Sequence, residues 1–156
     1  GDRSMSERRK SFNNPMLMGA LELLRAENTQ EHRNMVMQEI LRGRFLCPVI
    51  VDPPLVPDEE GIARASADSK VNMLLISAPD EKQFFMGYTD MEELKKWDPD
   101  CKNQLIAFKF SDYVQMLLKP DCNVSGVVIN PFDHNLVITK DMIMDMLNKG
   151  NYIKED

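Results

Sequence analysis

Short apolar runs separated by turn-forming residues dominate the last part of the chain. Two β-branched runs, at residues 127–129 and 136–138, flank a turn-compatible stretch at residues 130–135. Two such runs joined by a short turn predict a β-hairpin. Thr139 then offers an N-cap, and apolar residues recur at helical spacing: Met142, Ile143, Met146 and Leu147. We expect the chain to close with strand, turn, strand and helix.

Two amphipathic patterns near the N-terminus predict a helical hairpin. Asn14 and Pro15 stand where an N-cap and a first helical residue belong. An apolar face follows at helical spacing: Leu17, Ala20, Leu21 and Leu24. Thr29 is the predicted cap of a second helix, and Gly43 is predicted to close that helix in the left-handed conformation.

Four further strands and two further helices are predicted between these ends. The strands cover four apolar stretches, at residues 45–51, 71–77, 83–88 and 105–108. A short helix ends at Trp97, with Thr89 or Asp90 as alternative caps, and Ser111 is predicted to cap the next helix. Pro48 lacks a ladder donor, so it indicates an edge, a bulge or a strand start.

The order of these elements defines the fold class. We expect an α/β (α+β) fold with a single mixed β-sheet of five to six strands and about five helices packed against it. Residues 52–68 are polar and interrupted by proline, which predicts a long, mobile surface loop. Residues 1–14 are expected to form a disordered tail, and residues 15–150 a single domain.

Composition and charge narrow the class of protein. The chain of 156 residues is 43% hydrophobic and 28% charged, as in soluble globular domains. Its net charge of −6 argues against nucleic-acid binding, and it has no apolar run long enough to span a membrane. Three scattered cysteines favour a reducing, cytoplasmic environment. Gly1 in place of an initiator Met indicates that the first few residues are not native.

Candidate chemistry is sparse. The sequence has two histidines and no glycine-rich phosphate loop, so we predict no cofactor, no metal site and no catalytic residue. His134 follows Asp133 in the predicted turn, and such a pair could orient a general base. Turn chemistry also accounts for both residues. Carboxylates around the short helix that ends at Trp97 are interpreted as caps and a solvated face.

Aromatic residues offer the clearest candidates for a binding surface. Tyr88 and Phe132 follow two predicted strands, whose ends share one edge of the sheet if the strands are parallel neighbours. Phe132 needs either a core contact or a partner, because a large apolar ring is unusual at a turn. Trp97 is either a core residue or an interface anchor. We therefore predict a binding surface of Tyr88, Trp97, Phe132 and His134.

Two segments resemble a known family. The segment FFMGYTDMEELKKW at residues 84–97, and GVVINPF at residues 126–132 followed by LVI at 136–138, resemble the hallmark segments of the SseB (enhanced serine sensitivity) N-terminal domain family. Thr89, Asp90, Asn130 and Pro131 are the structural residues of these motifs. The resemblance implies a bacterial α/β domain whose molecular role is unsettled. Some members of the family carry a second, C-terminal domain.

Residues and resemblance together lead to a ranked set of expectations. The first is a non-enzymatic cytoplasmic domain that binds an unknown protein partner or forms a homodimer. The alternative is a sensor for a small ligand such as an amino acid, and the third is an enzyme with an unrecognised site. A polar pocket would favour the sensor, an exposed apolar patch the interaction domain, and a nucleophile beside a base the enzyme.

Overall fold

The computed structural model describes residues 12–52 and 70–148. The helices are α1 (Pro15–Ala26), α2 (Gln30–Arg42), α3 (Met91–Trp97), α4 (Phe110–Leu117) and α5 (Lys140–Asn148). The strands are β1 (Arg44–Asp52), β2 (Lys70–Met73), β3 (Leu75–Ser77), β4 (Gln83–Gly87), β5 (Gln104–Lys109), β6 (Gly126–Ile129) and β7 (Leu136–Thr139). None of these helices has both the length and the apolar character needed to cross a bilayer.

The strands form two sheets that share one junction. One sheet has the order β2-β1-β5, and the other has the order β3-β4-β6-β7. Leu46 of β1 and Tyr88, just after β4, exchange two backbone hydrogen bonds of 2.8 and 2.9 Å, which joins the sheets. The mixed α/β class and its five helices are confirmed, and the predicted hairpin is the antiparallel pair β6–β7.

The single sheet of five to six strands needs a correction, because residues 12–52 and 70–148 contain seven strands in two sheets. The predicted strand at residues 71–77 is divided at Leu74 into β2, which pairs with β1, and β3, which pairs with β4. The N–H of Leu74 donates to Pro48 O at 3.0 Å. Pro48 lies inside β1, the central strand of its sheet. On one side of β1 the neighbour changes at this point from Tyr88 to β2. The N–H that proline lacks therefore falls where the ladder of hydrogen bonds is interrupted.

The helical hairpin forms as predicted, with two differences in its ends. Asn14 occupies the N-cap position of α1 without a side-chain cap bond. Its amide donates instead to Arg44 O at 2.7 Å and Thr89 O at 2.9 Å. Gly43 is extended, with φ −78°, because the chain passes directly from α2 into β1. A Cβ on Gly43 would lie 2.9 Å from the Phe45 ring, so close packing requires this glycine.

Of the caps predicted for the other helices, some are confirmed and one is wrong. Thr29 caps α2, accepting the His32 N–H at 3.1 Å, and Thr139 caps α5, accepting the Met142 N–H at 3.2 Å. Ser111 is not a cap, since α4 already begins at Phe110.

Most of the loop and of the N-terminal tail predicted from the sequence lies outside the described residues. Residues 53–68 of the predicted loop lie outside them, as do residues 1–11 of the predicted tail. Asp52 ends β1 and pairs with Lys70 at the start of β2.

The hydrophobic core has two parts. The larger cluster packs α1, α2, α4 and α5 against the sheets, and Tyr113 at its centre contacts three phenylalanine rings: Phe45, Phe85 and Phe108. The smaller cluster lies under α3 and includes Tyr88, Leu94 and the partly buried Trp97.

Two glycines provide a matched test of this packing. A Cβ on Gly126 would lie 2.2 Å from the Ile138 carbonyl oxygen, across the β6–β7 pair, whereas a Cβ on Gly19 would meet nothing within 4 Å. We expect Gly126→Ala to destabilise the protein by about 3 kcal/mol or more. Gly19→Ala should stabilise it by about 0.5–1 kcal/mol, because alanine is the better helix former. Urea denaturation measures both, and equal effects would contradict the register of the hairpin.

Candidate functional site

The candidate site lies where two parallel strands end. β4 and β6 pair in parallel, with Gly87 opposite Ile129, so the residues that follow them leave the sheet at the same edge. Tyr88, Thr89 and Asp90 follow β4, and Asn130 and Pro131 follow β6. This arrangement brings the two family-like segments together, as expected if their strands were parallel neighbours.

Asn130 links the two strand ends through its side chain. Its residue is fully buried, with 0% exposure. The Oδ1 atom accepts the Thr89 N–H at 3.0 Å, and Nδ2 donates to the Thr89 hydroxyl at 3.0 Å. Its backbone N–H donates to Gly87 O at 2.9 Å, while its carbonyl accepts from the N–H groups of Asp133 and Asn135. Both the amide and the backbone of Asn130 are therefore committed to this junction.

Asn130 adopts a left-handed conformation with φ 50°. A residue before proline is normally extended, so the sequence alone predicts an extended Asn130 whose side chain bonds the turn backbone. Both predictions are wrong: φ is positive, and the side chain bonds to Thr89 of the neighbouring segment and to the His134 ring instead of the turn backbone. Asparagine tolerates the left-handed region better than most residues, which suits it to this position.

The tautomer of His134 follows from these bonds. Because the Thr89 N–H donates to Oδ1 of Asn130, the nitrogen Nδ2 must be the donor toward His134 Nδ1, which lies 3.1 Å away. Nδ1 is then an acceptor, so the proton of the neutral ring sits on Nε2. The side chain is only 4% exposed, and Nε2 lies 3.5 Å from Oε1 of Glu22 without a hydrogen-bond partner among the described residues. His134 therefore lies beside α1, while its hydrogen bond goes to Asn130.

A compact group of charged side chains covers this junction. Asp133 accepts from Arg25 at 2.6 Å and from Lys96 at 2.8 Å, and Lys96 also donates to Glu93 at 2.8 Å. These bonds join the turn to α1 through Arg25 and to α3 through Lys96. We call Arg25, Glu93, Lys96 and Asp133 the charged cluster.

Burial and neighbouring charges shift the pKa values of the two carboxyl groups of the cluster in opposite directions. Burial raises the pKa of Glu93 above its usual range, the Lys96 ammonium opposes this, and the nearby Asp133 carboxylate reinforces it. The hydrogen bond from Lys96 holds the pKa of Asp133 well below its usual range. Asp133 therefore carries the negative charge, and Glu93 is the carboxyl group that takes up a proton more easily.

Glu93 is the unexpected member of this group. Its residue is 5% exposed, and its Oε1 atom is buried without a hydrogen-bond partner in the described part of the chain. The sequence suggested a solvated acidic face for α3. No local pattern reveals that the turn at Asp133 and the end of α1 come to lie over Glu93. The Lys96 ammonium, which bonds its Oε2 at 2.8 Å, explains how a carboxyl group is tolerated there.

The two alternative caps of α3 are now resolved. Asp90 is the N-cap, because its carboxylate accepts the Glu93 N–H at 2.9 Å. Thr89 is fully buried, and its hydroxyl donates to Asp90 Oδ2 at 2.9 Å. Thr89 therefore connects the cap of α3 with the amide of Asn130.

A metal ion was considered at the only carboxylate–histidine group found among the described residues. Glu93, Asp133 and His134 offer ligand atoms that lie within 4.8 Å of one another. The Lys96 ammonium, however, lies 2.8 Å from an oxygen of each carboxylate, which is the position that a cation would occupy. Nδ1 of His134 is also engaged by Asn130. These side chains therefore do not fit a metal ion.

The four predicted binding residues have different environments. Tyr88 has 0% exposure and stacks on Trp97, with ring centroids 6.2 Å apart and planes inclined by 23°. The His134 side chain is buried in the junction. Phe132 alone is largely open to solvent, at 53% exposure, and it lies in neither hydrophobic cluster of the described residues. Tyr88, Phe132 and His134 follow the two strand ends and Trp97 packs on Tyr88, and Phe132 is the one of the four that is mostly exposed.

A polar cleft of about 430 Å³ lies at the opposite edge, near the start of β4 and β6. Its lining is mostly polar: Asp80, Lys82, Phe84, Asn123, Val124, Ser125, Thr139, Lys140 and Asp141. Sequence analysis did not single out this cleft, because its residues come from three separate segments, at 80–84, 123–125 and 139–141. It shares no residue with the charged cluster.

The fold and the junction define the class: a small mixed α/β domain whose parallel strand ends are tied together by a buried asparagine. The sequence model of the SseB protein N-terminal domain matches residues 17–145. The chain belongs to this family, as the resemblance of the two segments suggested. Comparison with curated proteins and with solved structures gives no match.

The role of Asn130 can be divided into its side chain and its backbone conformation. We expect Asn130→Ala to cost about 2–4 kcal/mol, because it leaves the buried Thr89 N–H unpaired and places alanine at a positive φ. Asn130→Gly loses the same amide but accepts the backbone conformation, so it should be less destabilising by about 1 kcal/mol. Denaturant midpoints of both variants test this. A midpoint unchanged in Asn130→Ala would contradict the junction.

Glu93 should make stability depend on pH in a defined direction. Because its folded pKa is raised, the stability that it contributes is complete below its unfolded pKa, roughly 4.3, and is lost as pH rises through the folded value. Glu93→Gln has no such titration. We expect the wild-type melting temperature to fall relative to that of Glu93→Gln between about pH 4 and pH 7. A difference that is constant or reversed over this range would refute the assignment.

Proposed function

We propose that this chain is a non-enzymatic protein-binding domain of the bacterial cytoplasm, with a contact surface centred on Phe132. The observation that carries the proposal is the exposure of this ring, 53%, at the tip of the β6–β7 turn. Large aromatic side chains are enriched among the residues that dominate binding energy. The partner is expected to offer an apolar pocket of the size of a phenylalanine ring.

The rigidity of the turn supports this proposal. The turn around Phe132 is held by Asp133, which bonds to Arg25 and Lys96, and by the N–H of Asn135, which bonds to Asn130 O at 2.8 Å. Asn130 and Asn135 both have positive φ, of 50° and 49°. A ring presented on such a fixed turn loses little conformational entropy on binding, which favours affinity.

The other predicted binding residues act behind this surface in the proposal. Tyr88 stacks on Trp97, the last residue of α3, and His134 bonds to Asn130 beside Glu22 of α1. Trp97 is partly exposed and can contribute to the rim of the contact. Tyr88 is fully buried, so its role is to support the strand end.

A small-ligand sensor remains the second candidate, and the cleft at the opposite edge favours it. Lys82 and Lys140 lie there with Asp80 and Asp141, so the cleft presents both signs of charge. Such a lining suits a small zwitterion. Thermal-shift measurements with free amino acids test this candidate: a midpoint that rises with one of them, and no longer rises in Lys140→Met, would favour the sensor.

Phe132 and Ile50 form a matched pair for testing the protein-binding proposal. Their exposures are 53% and 55%, but Ile50 lies on β1 of the other sheet. A photo-crosslinking residue at position 132 should capture a protein in cells, and the same residue at position 50 should not. The captured protein, once purified, should bind Phe132→Ala at least about 10-fold more weakly than wild type. Its affinity for Ile50→Ala should be unchanged.

Two results would overturn the proposal. One is equal capture from positions 132 and 50, and the other is an unchanged affinity of the purified partner for Phe132→Ala. The free energy of unfolding provides the control, because Phe132 lies in neither hydrophobic cluster of the described residues. The unfolding midpoint of Phe132→Ala should therefore stay close to that of the wild type.

A further inference from the structure

Helix α1 has a second apolar stripe on its exposed side. Leu17, Ala20 and Leu21 are its buried residues. A different set recurs at spacings of three and four residues toward solvent: Met16, Gly19, Leu23 and Ala26. Met16 is 72% exposed and Leu23 is 44% exposed. A surface helix normally presents polar residues on this side, so the stripe is unexplained by the fold of a single chain.

Gly19 in this stripe has no packing role among the described residues. Glycine inside a helix is unfavourable relative to alanine. Gly43, Gly87 and Gly126 are explained by close packing, since a Cβ on any of them would lie within 3.0 Å of a neighbouring atom. A Cβ on Gly19 would meet no atom of the described residues within 4 Å. Its open position therefore leaves room for a side chain of a second copy of the chain.

The stripe alternates large and small residues in a self-complementary order. If two copies of α1 pack antiparallel about a two-fold axis, with Gly19 opposite Leu23 of the partner subunit, then Met16 lies opposite Ala26 of the partner subunit. Each large side chain meets a small one along the contact. Isologous interfaces require this kind of self-complementarity.

Charge at the helix ends agrees with the same arrangement. The first turn of α1 contains no acidic residue, and no described side chain caps it, so its N–H groups carry uncompensated positive dipole charge. Glu27 follows the C-terminal end of α1 and is exposed. In the antiparallel pair, this carboxylate lies beside the N-terminal end of α1 in the partner subunit. The contact is therefore complementary in charge as well as in shape.

We propose that the exposed face of α1 is the two-fold interface of a homodimer of this chain. This surface does not include Phe132, so it leaves that residue open to a different partner. A helix of this length spans roughly 18 Å, so the contact is small for a stable complex. The dimer is therefore reversible and dissociates on dilution.

Sedimentation equilibrium measures this association directly. Wild type, loaded at concentrations up to about 1 mM, should show a mass that rises with concentration toward that of a dimer. Leu23→Glu should remain monomeric, because it places two carboxylates in the apolar contact. Met35→Glu is the matched control, since Met35 is 36% exposed but lies on α2. It should dimerise like wild type.

Exchange of the large and small residues tests the antiparallel register. Gly19→Leu should abolish the dimer while raising the melting temperature of the monomer, because the site is open within the chain and leucine is a better helix former than glycine. Leu23→Ala should weaken dimerisation by leaving a gap. The double variant Gly19→Leu/Leu23→Ala restores a large residue opposite a small one, so it should dimerise again.

Three results would overturn the proposal. The first is a wild-type mass that stays monomeric over the whole concentration range. The second is an equal effect of Leu23→Glu and Met35→Glu. The third is a double variant that fails to recover dimerisation although its circular dichroism shows a folded protein.

Discussion

The buried amide of Asn130 is the contact on which the edge formed by the ends of β4 and β6 depends. Parallel strands bring two chain segments to the same edge but supply no backbone bond between the residues that follow them. The Asn130 side chain supplies that bond, because it satisfies both the N–H and the hydroxyl of Thr89. Its backbone carbonyl organises the turn, and its Nδ2 engages His134. A buried polar network of this kind fixes one arrangement when every member is satisfied.

The charged cluster adds a second layer that ties the turn to two helices. Asp133 holds Arg25 of α1 and Lys96 of α3, which are far apart in sequence. Lys96 also compensates the buried Glu93, so the compensating cation belongs to the chain itself. The consequence is a turn fixed on two helices, with the Phe132 ring exposed at its tip. The exposed stripe of α1 lies on the side of that helix away from its buried residues.

Local patterns predicted the elements that local chemistry determines. The β6–β7 hairpin, the two N-terminal helices and the caps Thr29 and Thr139 all follow from apolar spacing and side-chain preferences. The division of the strand at Leu74 could not be predicted, because it depends on Pro48 lying across a gap between two sheets. The conformation of Asn130 and the burial of Glu93 could not be predicted for the same reason. Both are set by Thr89, Asp133 and α1, which approach only in the folded chain.

The two segments that resemble the SseB N-terminal domain family form one junction in the folded chain. Asn130 holds this junction closed in the native protein. Hydrogen exchange of the Thr89 N–H is the sharpest test, because this amide donates to the Asn130 side chain and not to a strand. We expect protection equal to that of the β4 and β6 core amides. Exchange as fast as that of exposed turn amides would contradict it.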